Sequence, residues 1–265
     1  MPHPPQLREG SRLDELRRFL RLADARAYRS AVGFARRYGV GPLAYPDARD
    51  ANLDMLPPWV DPRGGTIVDV GANEGNWTGS VLRIFPDAEV IAAEPNREPR
   101  AVMEARFADR RNVLIDPRAV SDTAGTAAFH VTRWSVFSSL LAPKPSLHEL
   151  YAPSSAPTEE VDTVQVDTVT LDRLVGDRHV SILKLDVQGG ELAVLDGGRD
   201  VLERTDCILV EVLFVPHYEG DTTFSGIHAA MVEQGFQLMD MARPFREGNG
   251  PALWADACYA RPPAA

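Results

Sequence analysis

Three clusters of residues have types and spacing that could do chemistry. The first, DVGANEG (69–75), lies between the apolar run TIVDV (66–70) and a helical pattern. A glycine loop at the carboxyl end of a strand lets backbone N–H groups approach a ligand closely. The spacing selects the ligand. A dinucleotide fingerprint needs G-x-G-x-x-G, whereas Gly71 is followed by Asn73 at the third position and Asn76 at the sixth, which disfavours a pyrophosphate. Asp69 and Glu74 beside the loop are poor neighbours for an anion and suit a cationic, zwitterionic ligand; S-adenosylmethionine is one. The plain alternative is a strand-to-helix turn with no ligand. The second group is Glu94, at the end of the next apolar run. A carboxylate there can accept hydrogen bonds from both hydroxyls of a ribose and would repel a 2′-phosphate. By itself it could equally be a surface acid.

The third cluster is LKLDVQGGE (183–191). With a side-chain period of two, Lys184 and Asp186 point to one side of a strand. Asp186 then ends the central strand facing the same crevice as Gly71. Gly189 and Gly190 permit a tight turn, and Glu191 falls in the first turn of the next helix. Read plainly, these are a Lys184–Asp186 or Lys184–Glu191 ion pair and an acid at a helix N-terminus. If the substrate is a hydroxyl, a weak nucleophile, a base helps. The candidates are Asp186, Glu211, His217 and, behind them, His228. His217 has the most suitable unperturbed pKa, although a solvent-exposed loop histidine is the ordinary alternative. Glu211 sits inside CILVEVLF (207–214), where a carboxylate needs a partner or a function. Asp186, Glu211 and Asp256 offer oxygen ligands of the kind Mg²⁺ takes, but nothing in the sequence brings them together, so no metal is expected.

The elements that must position these residues alternate. Strands are expected at 66–70, 88–94, 112–115, 181–186 and 207–214, with closing strands at 236–241 and 255–260. Helices are expected from Trp77 to Phe85, Arg97 to Ala108, Glu191 to Leu202 and Phe224 to Gln234. This order predicts an α/β fold with a doubly wound, mostly parallel sheet of about seven strands. Alternation at 126–131 and 161–169 suggests antiparallel edge pieces. Between them, residues 132–160 form a long stretch with Pro143, Pro145, Pro153 and Pro157, a loop long enough to act as a lid. Its Trp134, Phe137 and SSLL (138–141) make an apolar wall that could cover an acceptor pocket. Residues 11–38 read as helical, and Pro42, Pro46, Pro57, Pro58 and Pro62 mark a connector. The expected division is therefore a helical extension and connector over 1–60 and a ligand-binding domain over 61–265.

The chain of 265 residues is 44% hydrophobic and 25% charged, enough to bury a sizeable core and too apolar for wholesale disorder. Its net charge of −10 argues against nucleic acid, whose binding rests on Lys and Arg meeting phosphates. The basic residues are arginines apart from Lys144 and Lys184. Residues 1–40 hold nine arginines against four acids. This suits a helical extension packed on an acidic domain, or more sharply a lid or a homodimerisation arm. No apolar run of membrane-spanning length and no secretory signal are recognised. Two cysteines, Cys207 and Cys258, make neither a disulfide framework nor a four-cysteine zinc site, and point to a reduced, cytoplasmic setting.

The ordered segments DVGANEGNWT, EPNREP, AVSDTAG, VFSSLL, VDTVTLDRL, LKLDVQGGELAVLDGG and VEVLFVPHYEG resemble the FkbM-type S-adenosylmethionine-dependent methyltransferases. The resemblance runs over about residues 66–260. It implies a class I methyltransferase (Rossmann-like) fold, S-adenosyl-L-methionine as cofactor, and O-methylation of a hydroxylated small molecule such as a sugar, a polyketide or another natural product. It also implies that Asp69, Gly71, Asn73 and Gly75 hold the methionine part of the cofactor, Glu94 its ribose, and Asp186 the region of the methyl group. Two positions depart from the family pattern: Gln188 stands where many relatives have Glu, and His217 where an apolar residue is common. The resemblance does not extend to residues 1–60. The competing readings are an NAD(P)-dependent oxidoreductase or epimerase, which lacks its phosphate fingerprint here, and a methyltransferase-like scaffold without catalysis.

Overall fold

A computed structural model describes Arg37 and residues 51–151 and 158–262. Ten strands form two sheets. The main sheet contains β1 (Thr66–Val70), β2 (Val90–Ala93), β3 (Val113–Asp116), β7 (Val180–Leu185), β8 (Thr205–Leu213), β9 (Gln237–Met241) and β10 (Trp254–Ala260), in the order β3-β2-β1-β7-β8-β10-β9. Pairing is parallel from β3 to β8; β10 runs antiparallel to both its neighbours. This is the expected doubly wound, mostly parallel sheet of seven strands. The order reverses between β1 and β7, so the crevice at their carboxyl ends is the natural ligand position.

The sheet is buried on both faces, and the period-two alternation of its apolar strands divides the core. Ile67, Val90, Ile182, Leu209 and Cys258 face α1 (Asn76–Ile84) and residues 51–60. Val68, Ile91, Leu183, Val210 and Tyr259 face the opposite layer, which includes α4 (Leu171–Val175), α5 (Glu191–Asp196), α6 (Arg199–Glu203) and α7 (Phe224–Glu233). The helix α2 (Arg97–Arg106) begins at Asn96, whose side chain accepts from the Glu98 N–H, and Met103 packs it on the first core.

Two expectations are corrected. The pieces at 126–131 and 161–169 do not edge the main sheet. They belong to β5 (Gly125–Thr132) and β6 (Glu160–Thr170), an antiparallel pair that β4 (Ala119–Ser121) joins in a separate three-stranded sheet. The single helix expected from Glu191 to Leu202 is two short ones, α5 and α6. They break at Gly197 and Gly198, where a Cβ on Gly197 would lie 2.3 Å from the Ser121 carbonyl oxygen and one on Gly198 would lie 2.5 Å from Leu171. The described end of the proline-marked connector is part of the core: Leu53, Leu56 and Val60 are buried. Its prolines break regular structure but leave the apolar residues between them free to pack. The helix expected over 11–38 lies outside the described residues except for Arg37, whose guanidinium donates to the Leu56 carbonyl at 2.7 Å. The long stretch 132–160 contains a 3₁₀ turn (Ser135–Phe137) and α3 (Pro145–Leu150). Among the described residues no helix is long and apolar enough to cross a membrane.

Candidate functional site

An open cleft lies at the carboxyl ends of β1, β2 and β7. Its walls include Gly71, Asn73, Glu94, Ser121 and Asp186, with Val136 across from them. The glycine loop forms one edge. Gly71 (φ 81°), Asn73 (φ 50°) and Gly75 (φ 72°) all take left-handed backbone conformations. At Gly71 the requirement is also steric: an added Cβ would sit 1.9 Å from the Asp186 carbonyl oxygen, so the two loops touch only because this residue has no side chain.

Every N–H of the loop is used within the protein. Gly71 and Ala72 both donate to the Ala93 carbonyl at 3.0 Å, and Gly75 donates to the Ala72 carbonyl at 2.8 Å. The Asn73 N–H meets Glu94 Oε2 at 2.8 Å, and the Glu74 N–H meets Asn73 Oδ1 at 2.9 Å. No ring of free donors remains for a pyrophosphate. Glu94 accepts a second backbone bond, from Asn96 N–H to Oε1 at 2.7 Å. Burial dominates its acidity and pushes the carboxyl up to about 7, against the pull of those two N–H groups. The same two bonds fix the carboxyl at the cleft wall.

Asp69 lies beneath the loop rather than in the cleft. It is fully buried, and its Oδ2 accepts from Thr78 Oγ1 at 2.6 Å. Its Oδ1 has no hydrogen bond and faces Lys184 Nζ at 3.7 Å. Burial raises its pKa, partly offset by Lys184. Gly75 caps the start of α1 and does not line the cleft. Of the four loop residues expected to hold a methionine moiety, Gly71 and Asn73 reach the cleft; Asp69 and Gly75 support them from behind.

On β7 the expected Lys184–Asp186 pair is present at 3.1 Å. Burial pulls the Lys184 ammonium down, but Asp186 and Asp69 outweigh it and the net shift is upward. Lys184 therefore stays charged and is no proton carrier at neutral pH. Glu191 opens α5, in the expected first turn, and does not pair with Lys184. Its Oε1 accepts from Val187 N–H (3.0 Å) and Gly189 N–H (3.3 Å), closing the turn after Asp186. Burial pushes this carboxyl up to about 7 as well.

The proton-carrier candidates separate cleanly. Asp186 lines the cleft; its Oδ1 accepts from Gln188 Nε2 at 2.9 Å and its Oδ2 from Lys184. Glu211 is buried on β8 beside it, tied to the same amide at 2.8 Å. Burial, then the neighbouring Asp186, Asp256 and Glu191, raise Glu211 well above the usual carboxylate range. His217 lies outside the cleft wall and is 1% exposed. Its Nδ1 meets the Val215 carbonyl at 2.7 Å, which fixes the proton there, and Nε2 then accepts from Tyr151 OH at 3.2 Å. Burial lowers its pKa. A buried imidazole with both nitrogens engaged inside the protein and no place in the cleft lining weighs against His217 as the base. His228 on α7 is bonded to Tyr259 OH at 3.1 Å and is likewise absent from the cleft.

Sequence reasoning missed the grouping around this pair. Asp69, Lys184, Asp186, Glu211 and Asp256 fall on one face of four adjacent strands because each shares the parity of its strand's inward residues. Asp69 is paired with Lys184, and Asp256 with Glu211. Asp256 is held by Asn52 Nδ2 at 2.8 Å, and burial raises its pKa. The parity rule could have found the row once strand neighbours were known. Among the described residues no three His, Cys, Asp or Glu side chains are placed to hold a metal ion. Cys207 and Cys258 are buried free thiols with Sγ atoms 3.5 Å apart.

Residues 134–141 form a strap over the cleft. Asn73 Nδ2 donates to Ser135 Oγ (3.0 Å), and Ser139 Oγ donates to the Gln188 carbonyl (2.8 Å), so the strap is tied to both cofactor-side loops. Val136, Leu140 and Leu141 face the cleft. Trp134 is 53% exposed, and Phe137 packs away against Tyr151 at a centroid distance of 4.9 Å.

Comparison with known proteins places the chain in a family. Residues 69–238 match the Methyltransferase FkbM domain. A relative, the 2-O-methyltransferase NoeI of Sinorhizobium fredii, is 27% identical over 175 residues, 61% of this chain and 68% of that protein. The crystal structure of methyltransferase FkbM from Methylobacillus flagellatus aligns at a TM-score of 0.46 and 14% identity; the alignment covers 89% of this chain and 59% of that one. A putative tRNA (m1A22) methyltransferase from Streptococcus pneumoniae, in complex with S-adenosyl-L-methionine, aligns at 0.45 and 11% identity, covering 82% of this chain and 74% of the other. The FkbM match spans more than half of the sequence and contains the glycine loop, Glu94 and Asp186: the chain belongs to the FkbM methyltransferase family, with a class I methyltransferase fold.

Proposed function

We propose that this methyltransferase moves the methyl group of S-adenosyl-L-methionine to a hydroxyl of a small molecule, of the sugar or polyketide kind. The observation that carries the reading is the cleft itself: a glycine loop with no N–H left for phosphate, the buried Glu94 carboxyl on the wall, and Asp186 at the switch point. The residues present fit the cofactor. Glu94 supplies acceptors for two ribose hydroxyls, and the carboxylate at Asp186 favours a cation. The cofactor, when bound, supplies an activated methyl on a sulfonium.

The protein's part is alignment and proton management. Holding the acceptor oxygen in line behind the methyl carbon contributes up to ~7–11 kcal/mol in favourable cases. Asp186, the ionisable side chain best placed at the cleft, would take the proton of the acceptor hydroxyl. Val136, Leu140 and Leu141 of the strap exclude water from the transfer. The relationship to a 2-O-methyltransferase supports oxygen as the acceptor atom, and the net charge of −10 favours a small molecule over nucleic acid. We place the enzyme in the cytoplasm on its reduced, buried thiols. A screen of labelled methyl incorporation into sugars, hydroxylated polyketides and amines tests the proposal. Labelled ether products are expected; label confined to amines would overturn the O-methyl assignment.

A further inference from the structure

Gln188 has no part in the reaction as drawn above, yet its polar side chain is held on several sides. Its φ of 59° is in the left-handed region, which a residue with a side chain occupies only where its surroundings hold it. They do: Ser139 Oγ binds its carbonyl, and the N–H groups of Val187 and Gly189 on either side are both taken by Glu191. The side chain is directed onto three partners. Nε2 donates to Asp186 Oδ1 at 2.9 Å and to Glu211 Oε1 at 2.8 Å, and Oε1 accepts from Tyr218 OH at 2.9 Å. The Tyr218 hydroxyl also lies 3.0 Å from the Phe137 carbonyl of the strap, so its one proton is shared. The reversed amide would set its oxygen against two carboxyl oxygens, which fixes the orientation on chemical grounds.

We propose that Gln188 is a positioning residue for methyl transfer: anchored by Tyr218 to the strap, its amide spans Asp186 and Glu211 and fixes the direction in which Asp186 meets the acceptor. The inference rests on the reading that Asp186 takes the acceptor proton. The groups facing the pair are Lys184 on β7, Asp69 on β1, Asp256 on β10 and Glu191 on α5. Five carboxyl groups thus share one cation, and the amide adds two N–H donors without adding a sixth acid.

Three variants test this: Gln188→Met, which keeps volume without donors; Gln188→Glu, which keeps shape but replaces donors with a charge; and Tyr218→Phe, which frees the anchor. Single-turnover methyl transfer to a methyl glycoside that takes label in the screen should fall about 10–100-fold in Gln188→Met, as misplacement of a reacting group does. Tyr218→Phe should lose less. S-adenosylhomocysteine affinity should change much less than the transfer rate, since Gly71, Asn73 and Glu94 are unaltered. In Gln188→Glu the acid limb of the rate profile should move to higher pH by about one unit or more. Carboxyl carbon-13 resonances of the S-adenosylhomocysteine complex provide a reading that needs no acceptor: the Asp186–Glu211 pair should titrate at higher pH in Gln188→Glu. Wild-type rates and pH limbs in Gln188→Met and Gln188→Glu, or an unmoved carboxyl titration, would overturn the inference. Asp186→Asn separates the two levels. If it is impaired while the Gln188 variants are not, only the role of Gln188 fails; if it transfers methyl at the wild-type rate, the underlying reading fails.

Discussion

Glu94 carries the sharpest residue-scale consequence. Its carboxyl is pushed up to about 7, and ribose hydroxyls donate best to the ionised form. Cofactor binding therefore favours loss of its proton. Affinity for S-adenosylhomocysteine should rise with pH up to about 7 and level off above it, with proton release on binding near neutrality. Glu94→Ala should lose ~2–4 kcal/mol of that affinity and abolish the pH dependence. Calorimetry in buffers of different ionisation enthalpy reads both, and a pH-independent affinity would contradict the ribose assignment. For the proton acceptor, Asp186→Asn should slow single-turnover transfer by ~10²-fold or more, whereas His217→Ala should act mainly on stability, since its ring is packed with Tyr151 and Tyr218. Equal slowing of chemistry by both in folded protein would restore the histidine as a candidate.

At the scale of elements, the proposed function assigns acceptor selection to the strap between β5 and α3. Val136, Leu140 and Leu141 face the cleft, while Trp134 stands at its exposed edge. Val136→Ala with Leu141→Ala should raise the acceptor KM several-fold and leave S-adenosylhomocysteine affinity nearly intact; an unchanged KM would make the strap inert. The strands and most helices of the main sheet were legible because buried parallel strands are continuous apolar runs and their helices begin after glycine or a capping residue. Glu94 and the glycine loop were legible for the same reason: each follows a strand directly. What was hidden depends on pairing. The split at Gly197 follows from the approach of the Ser121 carbonyl, the second sheet from β4 meeting β6, and the burial of His217 from its contact with Tyr151, 66 positions away. A histidine near a strand end reads the same whether it faces a cleft or a core.

The whole molecule stores like charge at one end of its sheet. Glu94 and Glu191, each pushed from 4.5 to about 7, bind protons more tightly folded than unfolded. Their linkage is destabilising as pH rises: stability is fully kept below about 4.5 and is lost as pH climbs through 7. The surface pairs run the other way. Asp61 and Asp116 are held below the usual range, chiefly by Arg63 and by Arg118 working against burial, and lose their contribution only in acid. The melting temperature of the ligand-free protein should therefore be higher near pH 5.5 than at pH 8. Glu94→Gln should flatten part of that slope, and a thermal-shift series across pH checks it.

The central claim is that the cleft recognises a sulfonium nucleoside rather than a dinucleotide. It is met most directly by titrating the wild-type protein calorimetrically with S-adenosylhomocysteine and, separately, with NAD at pH 8. The account predicts one site for S-adenosylhomocysteine and no heat from NAD, because no loop N–H is left for a pyrophosphate. Saturable NAD binding, or no binding of S-adenosylhomocysteine by folded protein, would contradict it.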